Sequence, residues 1–161
     1  MADAQQRQRL GTLMDLLHRE RDKVHYAQLR PMRTQHLTSL HLLQQQLASP
    51  RGVTMDCSES VTLLCRLAGL DDPNGFDYDG HGFTGTLLHN LPHYTDPRRA
   101  RVGALVVFGP GSGHHVCMVR HPGQNPVLFS HGSEAGPIWI TLRDEKRYQR
   151  PPTVFLSIRQ L

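Results

Sequence analysis

The chain has little of what staples a small secreted protein. Its 161 residues include three cysteines, too few and odd in number for a disulfide framework. No two of them have Cys-x-x-Cys spacing, so a structural zinc site is not expected from the pattern. Folding in a reducing compartment is the expectation that follows. Aromatic residues make up 6% of the chain, with one tryptophan. That is too sparse for the base-stacking platform of a single-strand nucleic-acid binder. No run is long and apolar enough to predict a membrane-spanning helix. The segment from Met1 to Arg9 is polar and lacks the apolar centre of a secretion signal. If the substrate lies outside the cytoplasm, another component must deliver the protein.

Several cofactor patterns are also missing. His114, His115, His121 and His131 belong to no His-Glu-x-x-His pair. The glycine-rich run Gly109 to Gly113 is followed by His114, where a phosphate-binding loop needs lysine. Calcium-loop windows opened at Asp72 or Asp77 close on Phe83 and Leu88, where glutamate is required. No metal and no cofactor are expected.

What is present is a modest positive balance, 18 Lys and Arg against 14 Asp and Glu, with a pI near 9.3. This suits an anionic partner. The basic residues are scattered in short runs, such as Arg98 to Arg101 and Arg143 to Arg150, and read as solvated surface. Neither nucleic-acid binding nor membrane insertion is expected.

The length fits one domain with its own core. Residues 1–50 read as a helical amino-terminal extension. Leu10, Leu13, Met14 and Leu17 form one amphipathic stripe, and Leu37, Leu40, Leu43 and Leu47 a second. Residues 53–161 read as a catalytic core. A third helix is expected to begin at Asp56 and Cys57, with Asp56 as N-cap and Gly69 closing it. A turn-rich loop follows from Asp71 to Gly85. Strands are expected near 104–108, 115–120, 126–130, 138–142 and 153–158. Helices first and strands later predict an α+β fold with a mostly antiparallel sheet.

Cys57, in the first turn of a helix, is the cysteine best placed to act as a nucleophile, because helix dipoles favour thiolate. Cys65 and Cys117 fall on apolar faces and read as core. A nucleophilic cysteine needs an imidazole to take its proton, and that imidazole needs a polar partner to orient it. His115 opens a strand and His131 ends the next. In an antiparallel pair those ends are neighbours. His114 and His115 are alternatives for the base, since consecutive strand positions face opposite ways; His115 is preferred because Val116 follows it.

Four ordered blocks resemble the NlpC/P60 cysteine peptidases. They are Asp56-Cys57-Ser58, the run Arg101 to Phe108, His115-Val116, and Ser130-His131-Gly132. The chain is similar in particular to divergent members from actinobacterial phages, which share the Asp72-Pro73-Asn74-Gly75 loop. The resemblance covers roughly residues 53–142. It implies a papain-like fold with five to six strands, Cys57 as nucleophile, His115 as base, His131 as orienting group and Tyr26 helping to hold the oxyanion. It departs from the family at Glu59 and Ser60, where glycine and an aromatic are usual, at Ala104, and in lacking the Tyr-x-Trp-Gly-Gly segment.

The implied activity is cleavage of peptidoglycan stem-peptide amides, as a phage lysin or virion-borne wall hydrolase. Its partners would be bacterial peptidoglycan and other lysis or virion proteins. It would reside in the host cytoplasm until holin-dependent or virion-mediated delivery. Two alternatives stand beside it: an amidase, deamidase or acyltransferase sibling, and a non-catalytic virion or partner-binding protein that keeps the fold.

Overall fold

The amino-terminal stripe becomes α1 (Ala2–Arg19), with Leu10, Met14 and Leu17 fully buried, in a computed structural model that describes residues 2–132 and 135–161. The second stripe becomes α2 (Leu40–Ala48). Its start is later than the leucine spacing predicts because Ser39 accepts the Leu42 N–H at 3.2 Å and caps the helix there. Leu37 precedes the helix and is buried all the same. Two short strands, β1 (Val24–His25) and β2 (Val53–Thr54), pair in parallel. They bring Tyr26 alongside the segment that leads into α3 (Cys57–Leu67).

That third helix begins and ends as its caps predict. Asp56 accepts the Glu59 N–H at 2.7 Å. At the other end Gly69 has φ +77°, and Leu70 N–H donates to Cys65 O at 3.0 Å. This left-handed closure satisfies a helix carbonyl that would otherwise be buried without a partner.

At the end of the expected loop the chain forms another helix, α4 (Thr84–Asn90). Then come β3 (His93–Tyr94), β4 (Leu105–Phe108), β5 (His115–His121), β6 (Val127–Ser130), β7 (Ile138–Thr141), α5 (Leu142–Tyr148) and β8 (Thr153–Leu156). The last seven elements hold one six-stranded sheet in the order β3-β8-β4-β5-β6-β7, and all its pairings are antiparallel. The molecule is thus an α+β protein with five α-helices among the described residues. None of its helices there is long and apolar enough to cross a membrane.

The sheet is covered on both faces, which is why its strands read as continuous apolar runs rather than alternating ones. Leu105 and Val107 of β4, Val116 and Met118 of β5, and Phe129 of β6 point to the face under α1 and α3. Val106 and Phe108, Cys117 and Val119, and Leu128 point to the other face, under Leu142 of α5. Two separate cores result, and Val116 to Val119 of β5 alternate between them.

Leu10, Met14 and Leu17 of α1 lie in the same core as Val61 and Leu64 of α3. Leu17→Ala should therefore lower stability by about 2–5 kcal/mol, read as a shifted urea midpoint. A change below about 0.5 kcal/mol, the range of exposed sites, would show that α1 contributes nothing to the core.

Candidate active site

Cys57 sits where α3 meets the sheet. The residue is 5% exposed, and its thiol lies against the Val116 backbone N–H of β5. The β5–β6 pairing starts at Met118 opposite Phe129, so Val116 lies beyond its last pair. Tyr26 reaches the same sulfur with its hydroxyl. Gln28 donates to that hydroxyl at 3.3 Å. An open cleft of about 290 Å³ exposes this end of α3. Gln28, Arg30 and Asp56 form one wall, Phe83 and Thr84 another, and Gly113 and His114 the third.

The wall beside Cys57 is held by one buried carboxylate. Asp56 caps α3, accepts from Ser58 Oγ at 2.9 Å and pairs with Arg30 at 3.0 Å. Arg30 also reaches Ser58 Oγ and Gly82 O, so it ties the loop before α4 to the helix start. Deeper in, the Asp72 carboxylate accepts the N–H groups of Asn74, Phe76 and Tyr78. Asn74 bridges Thr62 of α3 to Thr86 of α4 at 3.0 and 2.7 Å. Asp72, which opens one of the calcium-loop windows, is thus engaged in folding its own loop.

The third wall is set by glycine. Gly113 has φ +78°, and a Cβ there would lie 2.7 Å from both Thr84 and Val107. His114 is exposed on the rim. Its N–H donates to Phe108 O at 2.7 Å, and its ring fills the space that a side chain at Gly109 would take.

The histidines do not assemble as the expected triad. β5 and β6 are antiparallel neighbours, as required, and the ends carrying His115 and His131 do lie together. The two residues face opposite ways, however. His115 pairs in register with Phe108, stacks on it at 6.4 Å and bonds Ser130 at 2.9 Å. Those neighbours lie under α5, on the face away from Cys57. His131 is on the Cys57 face. Its Nε2 lies 2.8 Å from Met55 O and 3.2 Å from His25 O. Two carbonyl acceptors require a hydrogen on that nitrogen. Its ring meets Tyr26 edge-on at 5.5 Å. His131 thus fastens the backbone before Cys57 and props Tyr26. The histidine that lines the cleft with Cys57 is His114.

Burial pushes the Cys57 thiol above its ordinary pKa, with the Asp56 charge adding to the effect, while the Val116, Ser58 and Cys57 N–H groups oppose it. The resting thiol is therefore protonated, and reactivity has to come from proton removal. Burial also pushes Tyr26 upward, and the neighbouring Cys57 sulfur adds to it, so the phenol stays a hydrogen-bond donor. The sequence gives no sign of Arg30 or Asp56 as a structural pair, since Arg30 lies far from the Asp56-Cys57-Ser58 block.

Beneath the site, Glu59 is fully buried. Its Oε1 accepts from Thr34 N and Oγ1 at 2.9 and 2.8 Å, and its Oε2 has no partner among the described residues. Burial raises its pKa above the ordinary glutamate value.

Comparison of the chain with protein-family models, with curated proteins and with solved structures finds no match.

A raised folded-state pKa means that folding favours protonated Glu59. Its contribution is complete at acid pH and is lost as pH climbs from the ordinary glutamate range through the folded value. Glu59→Gln keeps a carbonyl for Thr34 and removes the charge. It should raise the urea midpoint at about pH 8 and leave it nearly unchanged at about pH 4. A midpoint that falls at both would show that Glu59 is ionised in the fold.

Proposed function

We propose that this chain is a cysteine hydrolase in which Cys57 is the nucleophile and His114 the base. Its substrate is the peptide part of bacterial peptidoglycan, as the resemblance to NlpC/P60 peptidases implies. The reading rests on the open cleft lined by Cys57 at the start of α3 and by His114, with the Tyr26 hydroxyl against the Cys57 sulfur. Tyr26 also lines a second groove, with Arg19, Arg21 and His25 against one acid, Asp22, a net basic lining that suits the carboxylates wall peptides carry.

The chemistry runs as thiol acyl transfer. His114 takes the Cys57 proton, and the thiolate forms a bond to the amide carbonyl carbon. The carbonyl oxygen becomes an oxyanion that accepts from the Cys57 N–H and the Tyr26 hydroxyl. His114 returns the proton to the leaving nitrogen as the C–N bond breaks. Water activated by His114 then cleaves the thioester and restores the thiol. His131 acts at one remove, as the positioning residue for Tyr26 and the Met55 carbonyl. In this reading the protein acts as a phage lysin or virion-borne wall hydrolase, delivered from the host cytoplasm by a holin or by the virion.

A second reading is a non-catalytic binding protein that keeps the fold. The raised thiol pKa and the placement of His115 on the far face favour it. An amidase, deamidase or acyltransferase sibling differs only in its products.

The test is mass spectrometry of soluble products from diaminopimelate-type peptidoglycan. Wild type should release stem-peptide fragments and Cys57→Ala none. His114→Ala should be slower by about 10²–10⁴-fold, and Tyr26→Phe by about a hundredfold. His115→Ala should keep its turnover per folded molecule. If wild type and Cys57→Ala give identical products on several wall types, the hydrolase reading fails and the binding reading replaces it.

A further inference from the structure

The face of the sheet away from the cleft carries a second cluster of reactive side chains. His115 and Cys117, alternate residues of β5, point to the same side of the sheet. Glu145 comes down on them from α5. One donor atom from each lies within 4.8 Å of the others, and all three residues are buried. His115 Nε2 is 3.7 Å from Glu145 Oε1.

We infer that His115, Cys117 and Glu145 form a binding site for a single divalent cation of zinc type. The donor set is one imidazole nitrogen, one sulfur and one carboxylate oxygen, which are ordinary zinc ligands. Tetrahedral zinc with bonds of this kind holds its ligand atoms about 3.3–3.8 Å apart. The 3.7 Å His115–Glu145 separation already meets that, and the cluster needs only a slight contraction. Charge supports the same assignment. A dry core tolerates ionised groups only when they are compensated. A divalent ion with one thiolate, one carboxylate and one neutral imidazole is electrically balanced.

Ser130 Oγ lies 2.9 Å from His115 Nε2, the nitrogen that also faces Glu145, so it stands on the metal side of the imidazole. One donor is braced by an outer contact. Gln149 Nε2 donates to Glu145 Oε1 at 2.7 Å. Such outer contacts orient metal ligands and tune them. The Ser130 hydroxyl or a water completes the fourth position. Binding requires Cys117 as thiolate, Glu145 ionised and His115 neutral, so any protons those groups carry are released to solvent. The ion would tie α5 to β5 at the strand whose other face carries Val116 against Cys57, and its role is structural. The sequence hides the site, because His-x-Cys is no recognised motif and the third ligand arrives from a separate helix.

The test uses cobalt(II) and zinc(II) chloride on the full chain after dialysis against a chelator. Cobalt should give a one-to-one titration with a thiolate-to-metal charge-transfer band in the near ultraviolet. The band should persist in Cys57→Ser and vanish in Cys117→Ser. Zinc should displace the cobalt, raise the melting temperature and release protons. Glu145→Gln should weaken affinity by at least 10–100-fold, the range typical even of outer-shell losses. Circular dichroism of each variant separates a lost ligand from a lost fold. A wild-type protein with no charge-transfer band, or a band that survives Cys117→Ser in a folded variant, overturns the inference.

Discussion

The buried carboxylate of Asp56 is the contact on which the site depends. It accepts the Glu59 N–H, and so decides where α3 starts. That start fixes the direction in which Cys57 leaves the helix. The same carboxylate holds Arg30 at 3.0 Å, and Arg30 in turn holds Gly82. One negative charge therefore joins three chain segments around the cysteine. An N-cap is commonly worth about 1 kcal/mol. Here the cap also anchors a partly buried cation, and losing one partner of such a pair strands the other. The carboxylate carries a chemical cost as well, because its charge opposes ionisation of the neighbouring thiol.

The second constraint is the two-residue period of β5. The strand is packed on both sides, so it cannot slip by one residue without exchanging its two cores. Val116 and Met118 belong with α3, while Cys117 and Val119 belong with α5. This parity sends His115 away from Cys57. The residue one step earlier, His114, reaches the cleft because the turn around Gly109 and Gly113 leaves room for it. The structure thus separates two clusters across the sheet: Cys57 and His114 around an open cleft, and a buried His115-Cys117-Glu145 cluster on the other face.

Much of the architecture was legible in the chain. The α1 stripe, the Asp56 cap, the Gly69 closure and five strands are local patterns, and local patterns survive folding. The short helices α4 and α5 were not legible. Thr84-Gly85-Thr86 carries a poor helix former, and α4 is held by tertiary contacts such as Thr86 with Asn74. For α5, the start is set by Thr141 accepting the Asp144 N–H, in a stretch that otherwise reads as charged surface. Around the cleft, Cys57 and His131 drew attention because they lie inside the Asp56-Cys57-Ser58 and Ser130-His131-Gly132 blocks, and Tyr26 only through the family resemblance. Which of His114 and His115 faces the cleft was not legible, because adjacent histidines differ only in the face they take, and that depends on a register no local pattern sets. Glu145 was invisible because only the tertiary fold brings α5 over β5.

The central claim is that Cys57 is the reacting thiol and that His114 governs it. The direct measurement is the rate of alkylation at each cysteine of the native protein near neutral pH, read by peptide mass mapping. Cys57 should be labelled while Cys65 and Cys117, which are fully buried, stay protected. His114→Ala should slow labelling of Cys57, and His115→Ala should not. Native protein in which Cys57 stays unlabelled, or labels equally fast without His114, would contradict the claim.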